Sequence, residues 1–124
     1  MRTWGRQMKN FNKIKISYSE KSMRLLFSTT AGFEDQRVEV ILDVSRDNIP
    51  LGIEWFVASE LDAAKLASIR TALINADVRF AHDVEEDIMT INVNAIDEDA
   101  RTQRPGQVVF SFDAQGGLVS MVVT

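Results

Sequence analysis

Apolar residues recur at every second position through eight short runs of this chain, and the rhythm changes to the helical one once, between residues 59 and 76. Alternation sends successive side chains to opposite faces of a strand, so each run describes a half-buried β-strand. In the first half Ile14, Ile16 and Tyr18 alternate with Lys13, Lys15 and Ser17. After a short polar turn Leu25 and Phe27 resume the phase; Val38, Val40, Leu42 and Val44 form a third run, and Leu51, Ile53 and Trp55 a fourth. Ser45-Arg46-Asp47-Asn48 is turn chemistry, and Pro50 lies near the start of a strand, where a missing N–H does least harm.

The single helical stretch is Ser59–Ala76. Ser59-Glu60-Leu61-Asp62 has the spacing at which a serine oxygen caps free N–H groups and a carboxylate reaches back, so the pattern predicts a helix starting at Ser59. At about 100° per residue Leu61, Leu66, Ile69, Ala72, Leu73 and Ala76 share one side. Burying the larger of them is worth about 1.5–3 kcal/mol each, more than any propensity difference, so a sheet beneath should hold this helix.

Beyond the helix the plan repeats. Val78, Phe80 and His82 answer Ile14, Ile16 and Tyr18 at an offset of 64 positions, and Met89 and Ile91 answer Leu25 and Phe27 at the same offset. Val108, Phe110 and Phe112 then answer Val40, Leu42 and Val44 at an offset of 68, followed by Val119, Met121 and Val123 for Leu51, Ile53 and Trp55. Gly116 takes the place of Asn48, and these are two residue types suited to positive φ. The expected fold is α+β: two antiparallel four-stranded β units, residues 13–57 and 77–124, related by pseudo-twofold duplication and joined by one central helix, 59–76. Together they make one domain, a size able to bury a core without covalent staples. Whether the strands form one sheet, two sheets or a partly closed barrel stays open at this point.

Residues 1–12, MRTWGRQMKNFN, follow neither period and are expected to form an N-terminal arm, with Met8 as an alternative start. Residues 1–24 carry seven Lys or Arg against Glu20 alone, a balance of +6, while the remainder carries −10. An acidic body argues against nucleic acid as the main ligand, leaving only weak contact through the basic arm. There is no cysteine, so disulfides and thiolate metal sites are excluded, and no apolar run approaches the roughly 18 residues of a membrane helix. A cytoplasmic address is the expectation, with no membrane partner.

The repeat unit has a counterpart among known families. His82-Asp83-Val84-Glu85-Glu86-Asp87-Ile88-Met89-Thr90-Ile91 resembles the Y-D-x-E-x-D-x-L-x-I opening of a small bacterial domain of unknown function, family 2283. Leu42-Asp43-Val44-Ser45-Arg46-Asp47-Asn48-Ile49-Pro50-Leu51-Gly52-Ile53-Glu54 is similar to its second signature, a strand, a D-x-D-G-like turn and V-G-I-E. The likeness spans Ile14–Ser59 and Val78–Val123. The first half departs from it at Ser19 and Met23, and the second at Ser120 and Val122. The resemblance implies tandem copies of a unit with no established catalytic residues, and neighbours in the family encoded beside small toxin-like proteins.

Chemistry-bearing residues are sparse. The acidic run Asp83, Glu85, Glu86, Asp87 lacks the glycine bend and spaced terminal Glu of an oxygen-rich calcium loop, and reads as a solvated hairpin turn. Asp97-Glu98-Asp99 reads as a solubilising bend closed by Pro105-Gly106. His82 is the sole histidine and takes Tyr18's place, a packed ring at a strand end. No serine stands in a G-x-S-x-G elbow, and no glycine-rich phosphate loop precedes the helix. Trp55 and Phe56 straddle a strand end, so alternation buries one and leaves the other near the helix start.

No catalytic, cofactor-binding or metal residue is assigned. The expectation is a non-enzymatic protein-interaction module, antitoxin-like or regulatory, using Trp55, Phe56, Asp83, Glu85, Glu86 and Asp87 on a protein partner, or self-associating through strand edges. The alternative is a small-molecule-binding or enzymatic domain with a cleft between the halves around Tyr18, His82 and Trp55.

Overall fold

The computed structural model describes residues 6–11, 14–19, 22–93 and 102–124. In chain order these form β1 (Arg6–Phe11), β2 (Ile14–Ser19), β3 (Ser22–Leu26), β4 (Glu34–Val44), β5 (Pro50–Phe56), a 3-10 turn (Ala58–Glu60), helix α1 (Ala63–Asn75), β6 (Phe80–Asp83), β7 (Ile88–Asn92), β8 (Thr102–Phe112) and β9 (Leu118–Val123). All pairings are antiparallel, in one sheet of order β1-β2-β3-β9-β8-β4-β5-β7-β6. β2 to β9 curl into a half-barrel with α1. Among the described residues no helix is long and apolar enough to cross a membrane.

Period-two patterning decides which face is dry. Val40, Leu42 and Val44 of β4 and Val108, Phe110 and Phe112 of β8 are buried, whereas Asp35, Arg37 and Glu39, on the opposite face of β4, are exposed. Leu66, Ile69 and Leu73 of α1 pack into the same core cluster as Ile16, Leu25, Met89 and Met121. The helix begins later than its sequence suggests. Asp62 is the N-cap, its carboxylate accepting the Lys65 N–H at 3.2 Å, and the cap spacing of Ser59 goes unused because that side chain is bound elsewhere.

Four expectations change. The halves are not separate four-stranded units: β9 lies between β3 and β8, and β4 pairs with β8 over eleven consecutive positions. Residues 6–11 of the expected arm form a strand on β2, and a register shift between Gln7 and Lys9 explains why no clean alternation marks it. Pro105 and Gly106 lie inside β8 opposite Ile41 and Val40, not in a bend. Gln107 exchanges backbone hydrogen bonds with Thr124, so two residues earlier the Pro105 nitrogen points past the end of β9, where a strand tolerates proline. The run Asp97–Asp99 lies outside the described residues.

The fourth change concerns register. Met23↔Val123 and Leu25↔Met121 on one side of the sheet match Met89↔Trp55 and Ile91↔Ile53 on the other, so β3 corresponds to β7 at an offset of 66, not 64. Two residues link Ser19 to Ser22 where four link Asp83 to Ile88, and a difference of two keeps every side chain on its face. From β2 to β6 the strand order reads the same from either end. The two long hairpins agree bond for bond. Ser45 N–H donates to Ile49 O at 2.9 Å and Asp113 N–H to Gly117 O at 2.8 Å; Asn48 and Gly116 have φ of 65° and 86°. Ser45 Oγ accepts from the Asp47 and Ile49 amides as Asp113 Oδ1 accepts from Gln115 and Gly117.

Candidate functional site

β5 is longer than its partnership with β4. The β4–β5 ladder ends at Ile41↔Glu54, and β5 continues along β7 alone to Phe56↔Ile88. Alternation then points Trp55 inward, 3% exposed, its ring 5.2 Å from that of Phe110 and tilted by 36°, and points Phe56 outward, 44% exposed. The chain leaves the strand through Val57, which holds a left-handed backbone (φ 50°, ψ 44°) that costs a β-branched residue about 1–2 kcal/mol, and half of its surface stays exposed. Where β4 and β5 part, a cleft of 350 Å³ opens, lined by Gln36, Val38, Glu39, Trp55, Phe56, Val57, Glu60 and Leu61. Its walls are largely aromatic and aliphatic, and among the described residues its ionisable lining is the acids Glu39 and Glu60.

The β6–β7 turn is fastened beside this cleft. Asp87, itself left-handed at φ 54°, accepts from the Ser59 amide at 3.1 Å and from the Ser59 hydroxyl. Its Oδ1 lies 2.9 Å from His82 Nε2, and Arg70 Nη2 lies 2.6 Å from His82 Nδ1. A guanidinium only donates, so Nδ1 accepts and Nε2 carries the proton given to Asp87. The Ser59 hydroxyl, then His82, hold the Asp87 carboxyl below the usual carboxylate range. Serine, histidine and aspartate thus meet, but not in the order of a nucleophile–imidazole–carboxylate relay: the Ser59 hydroxyl donates to the Asp87 carboxylate, and the two His82 nitrogens are taken by Arg70 and Asp87. The arrangement is a latch joining the 3-10 turn and α1 to the hairpin.

The expected contact residues divide accordingly. Phe56 and the turn Asp83–Asp87 come together through the Phe56↔Ile88 pair and the Ser59–Asp87 bonds. Asp83 Oδ1 accepts the Glu85 and Glu86 amides at 3.1 and 3.2 Å, Asp87 serves the latch, and Glu85 and Glu86 face solvent. Among the described residues no three His, Cys, Asp or Glu side chains are grouped to hold a metal ion. Trp55 belongs mainly to the core and reaches the cleft at its margin. Tyr18, His82 and Trp55 do not frame a cleft between the halves: Tyr18 and Trp55 are buried in the core cluster, and both His82 nitrogens are bonded. Glu39, Val57 and Glu60 escaped sequence reasoning, because the parting of β4 from β5 and the left-handed Val57 have no signature in residue type.

No protein-family model, curated protein or solved structure matches the chain.

Proposed function

We propose that the protein is a non-enzymatic protein-interaction module that grips a basic segment of a partner protein at the cleft beside β5. The observation carrying this reading is that an exposed aromatic, Phe56, and an exposed aliphatic, Val57, sit on a cleft rimmed by Glu39 and Glu60, next to the Glu85–Glu86 turn. A lysine or arginine suits such a place twice over, with its stem on the apolar wall and its charge toward the carboxylates. The latch and the backbone at Val57 keep these groups fixed before a partner arrives, which lowers the ordering cost of binding.

In the same reading the chain is two fused copies of one four-stranded unit. The palindromic strand order, the matched hairpin bonds and the common 68-residue offset of the two long hairpins support it. Each unit lends its last strand to the other's first hairpin, as subunits of a strand-sharing homodimer would.

The test is titration with a synthetic peptide of alternating lysine and leucine, followed by Trp55 fluorescence in a Trp4→Phe background. Saturable binding that weakens with salt, and that falls about tenfold in Phe56→Ser and in Glu60→Lys, is expected of a cleft with one aromatic anchor. Unchanged affinity in both variants would reject the site.

A further inference from the structure

The two ends of the sheet are treated differently. At one end β2 is covered by β1, with Arg6 opposite Tyr18, Gln7 opposite Ser17 and Lys9 opposite Ile16. At the other end β6 is the last strand among the described residues. Yet β6 stands to β7 as β2 stands to β3: Phe80↔Ile91 and His82↔Met89 repeat Ile16↔Leu25 and Tyr18↔Met23. Arg79 O accepts from Asn92 N–H, which turns residues 79, 81 and 83 toward β7 and leaves the backbone groups of Phe80 and His82 facing outward. These are the equivalents of Ile16 and Tyr18, the positions opposite Lys9 and Arg6 of β1.

Charge distinguishes the two edges. β1 is basic, with Arg6 and Lys9, and so are the strands that follow it in the sheet, with Lys15 in β2 and Arg24 in β3. The β6–β7 hairpin instead offers Asp83, Glu85, Glu86 and Asp87. In the β2-like register Arg6 would stand opposite His82, directing the strand's basic end toward this acidic turn.

We propose that the outer edge of β6 receives the Arg6–Phe11 strand of a second copy of this chain, which exchanges its own basic β2 edge for this acidic one. The contact is head-to-tail, so it builds chains of copies or a closed ring, depending on the rotation between neighbours. Its electrostatic part is screened by salt. It shares the Glu85–Glu86 turn with the cleft reading but uses neither Phe56 nor Glu60, so the peptide titration in Phe56→Ser and Glu60→Lys and the cross-linking below fail separately.

The chain has no cysteine of its own, so single-cysteine variants of the full chain report the contact directly. Gln7→Cys and Ala81→Cys are mixed under mild oxidation, since Ala81 is the equivalent of Ser17, the partner of Gln7. Gln7→Cys mixed with Thr71→Cys, on the exposed side of α1, measures random collision. The proposal expects the first pair to cross-link about tenfold faster than the second, because a disulfide demands close, oriented Cβ atoms. It also expects the excess to fall in high salt and with Glu85→Lys/Glu86→Lys. Cross-linking no faster than the Thr71 control, or an excess unmoved by salt and charge reversal, overturns it.

Discussion

Glu39 and Gln107 stand directly opposite one another in the β4–β8 ladder, and the Gln107 side-chain amide donates to Glu39 Oε2 at 3.1 Å. Five pairs lie on either side of them, and the two are 68 residues apart, the offset that relates the long hairpins. The pairings on its two sides repeat: β5 lies beside β4 as β9 lies beside β8, and the Phe27 amide bonds to Val119 O as the Val93 amide bonds to Leu51 O.

The first prediction concerns the halves alone. Residues 13–57 lack β9, which covers β3, and β8, which covers β4, while residues 77–124 lack β3, β4 and β5. A unit of about 45 residues with two unpaired strand edges has too little apolar burial to offset its chain entropy. Each half expressed separately should be unfolded or self-associated by circular dichroism and sedimentation. A folded, monomeric half would contradict the strand-sharing arrangement.

Gly106 gives a sharper, local test. A Cβ there would lie 2.5 Å from Leu42 Cδ1 and 2.7 Å from the Thr124 carbonyl oxygen. The leucine has rotamers to try, but the carbonyl is held by the Gln107–Thr124 bonds. Replacing glycine normally stabilises by about 0.4–1 kcal/mol where the space exists, whereas overpacking costs about 1–3 kcal/mol. Gly106→Ala should therefore destabilise by about 1–2 kcal/mol in urea unfolding, and an unchanged midpoint would show that the end of β9 yields.

How much of this was legible in the sequence depends on what alternation encodes. It reports the face of a residue and not the neighbour of a strand. Hence the alternating buried positions of the strands, the apolar side of α1 and the Asn48 and Gly116 turns could be read from the chain, while the burial of consecutive residues at the starts of β5 and β9 and the passage of β9 between β3 and β8 could not. The Met89 offset slipped by two for the same reason, since a shift of two preserves the face. At the site, alternation separated buried Trp55 from exposed Phe56. The cleft depends on β5 leaving β4 and on Val57 turning left-handed, and both are tertiary events. Ser59 matched a capping signature, but Asp62 performs the capping and Ser59 binds Asp87.

Acid should loosen the two turns that Asp87 and Asp113 hold. Asp87 is kept below the ordinary carboxylate range first by the Ser59 hydroxyl, then by His82; Asp113 is kept low first by the Gly117 amide. A carboxyl whose folded pKa is depressed contributes stability that is present above its unfolded value and is lost as pH falls through the folded one. Both contributions should persist down to ordinary carboxylate titration, near 3.8, and disappear below it. Carboxyl-carbon NMR titration should find both groups below the ordinary 3.8, and Asp87→Asn should flatten that limb of the stability profile. An Asp87 titrating at or above 3.8 would remove the latch from the account.

Trp55 and Phe56 are adjacent in sequence and opposite in consequence. Trp55→Ala empties a core site against Phe110 and should cost about 3–5 kcal/mol of stability, as large aromatic truncations do. Phe56→Ser removes an exposed ring and should move stability by no more than about 0.5 kcal/mol. If the cleft is where a partner anchors, the ranking reverses for binding. The serine variant, fully folded, should lose the basic peptide, and Trp55→Phe, which retains a ring in the core, should keep most of the affinity. Paired calorimetry and urea unfolding on these variants separate the two roles. A Phe56→Ser protein that unfolds early would mean the ring belongs to the core after all, and one that folds and binds normally would leave the cleft without its anchor.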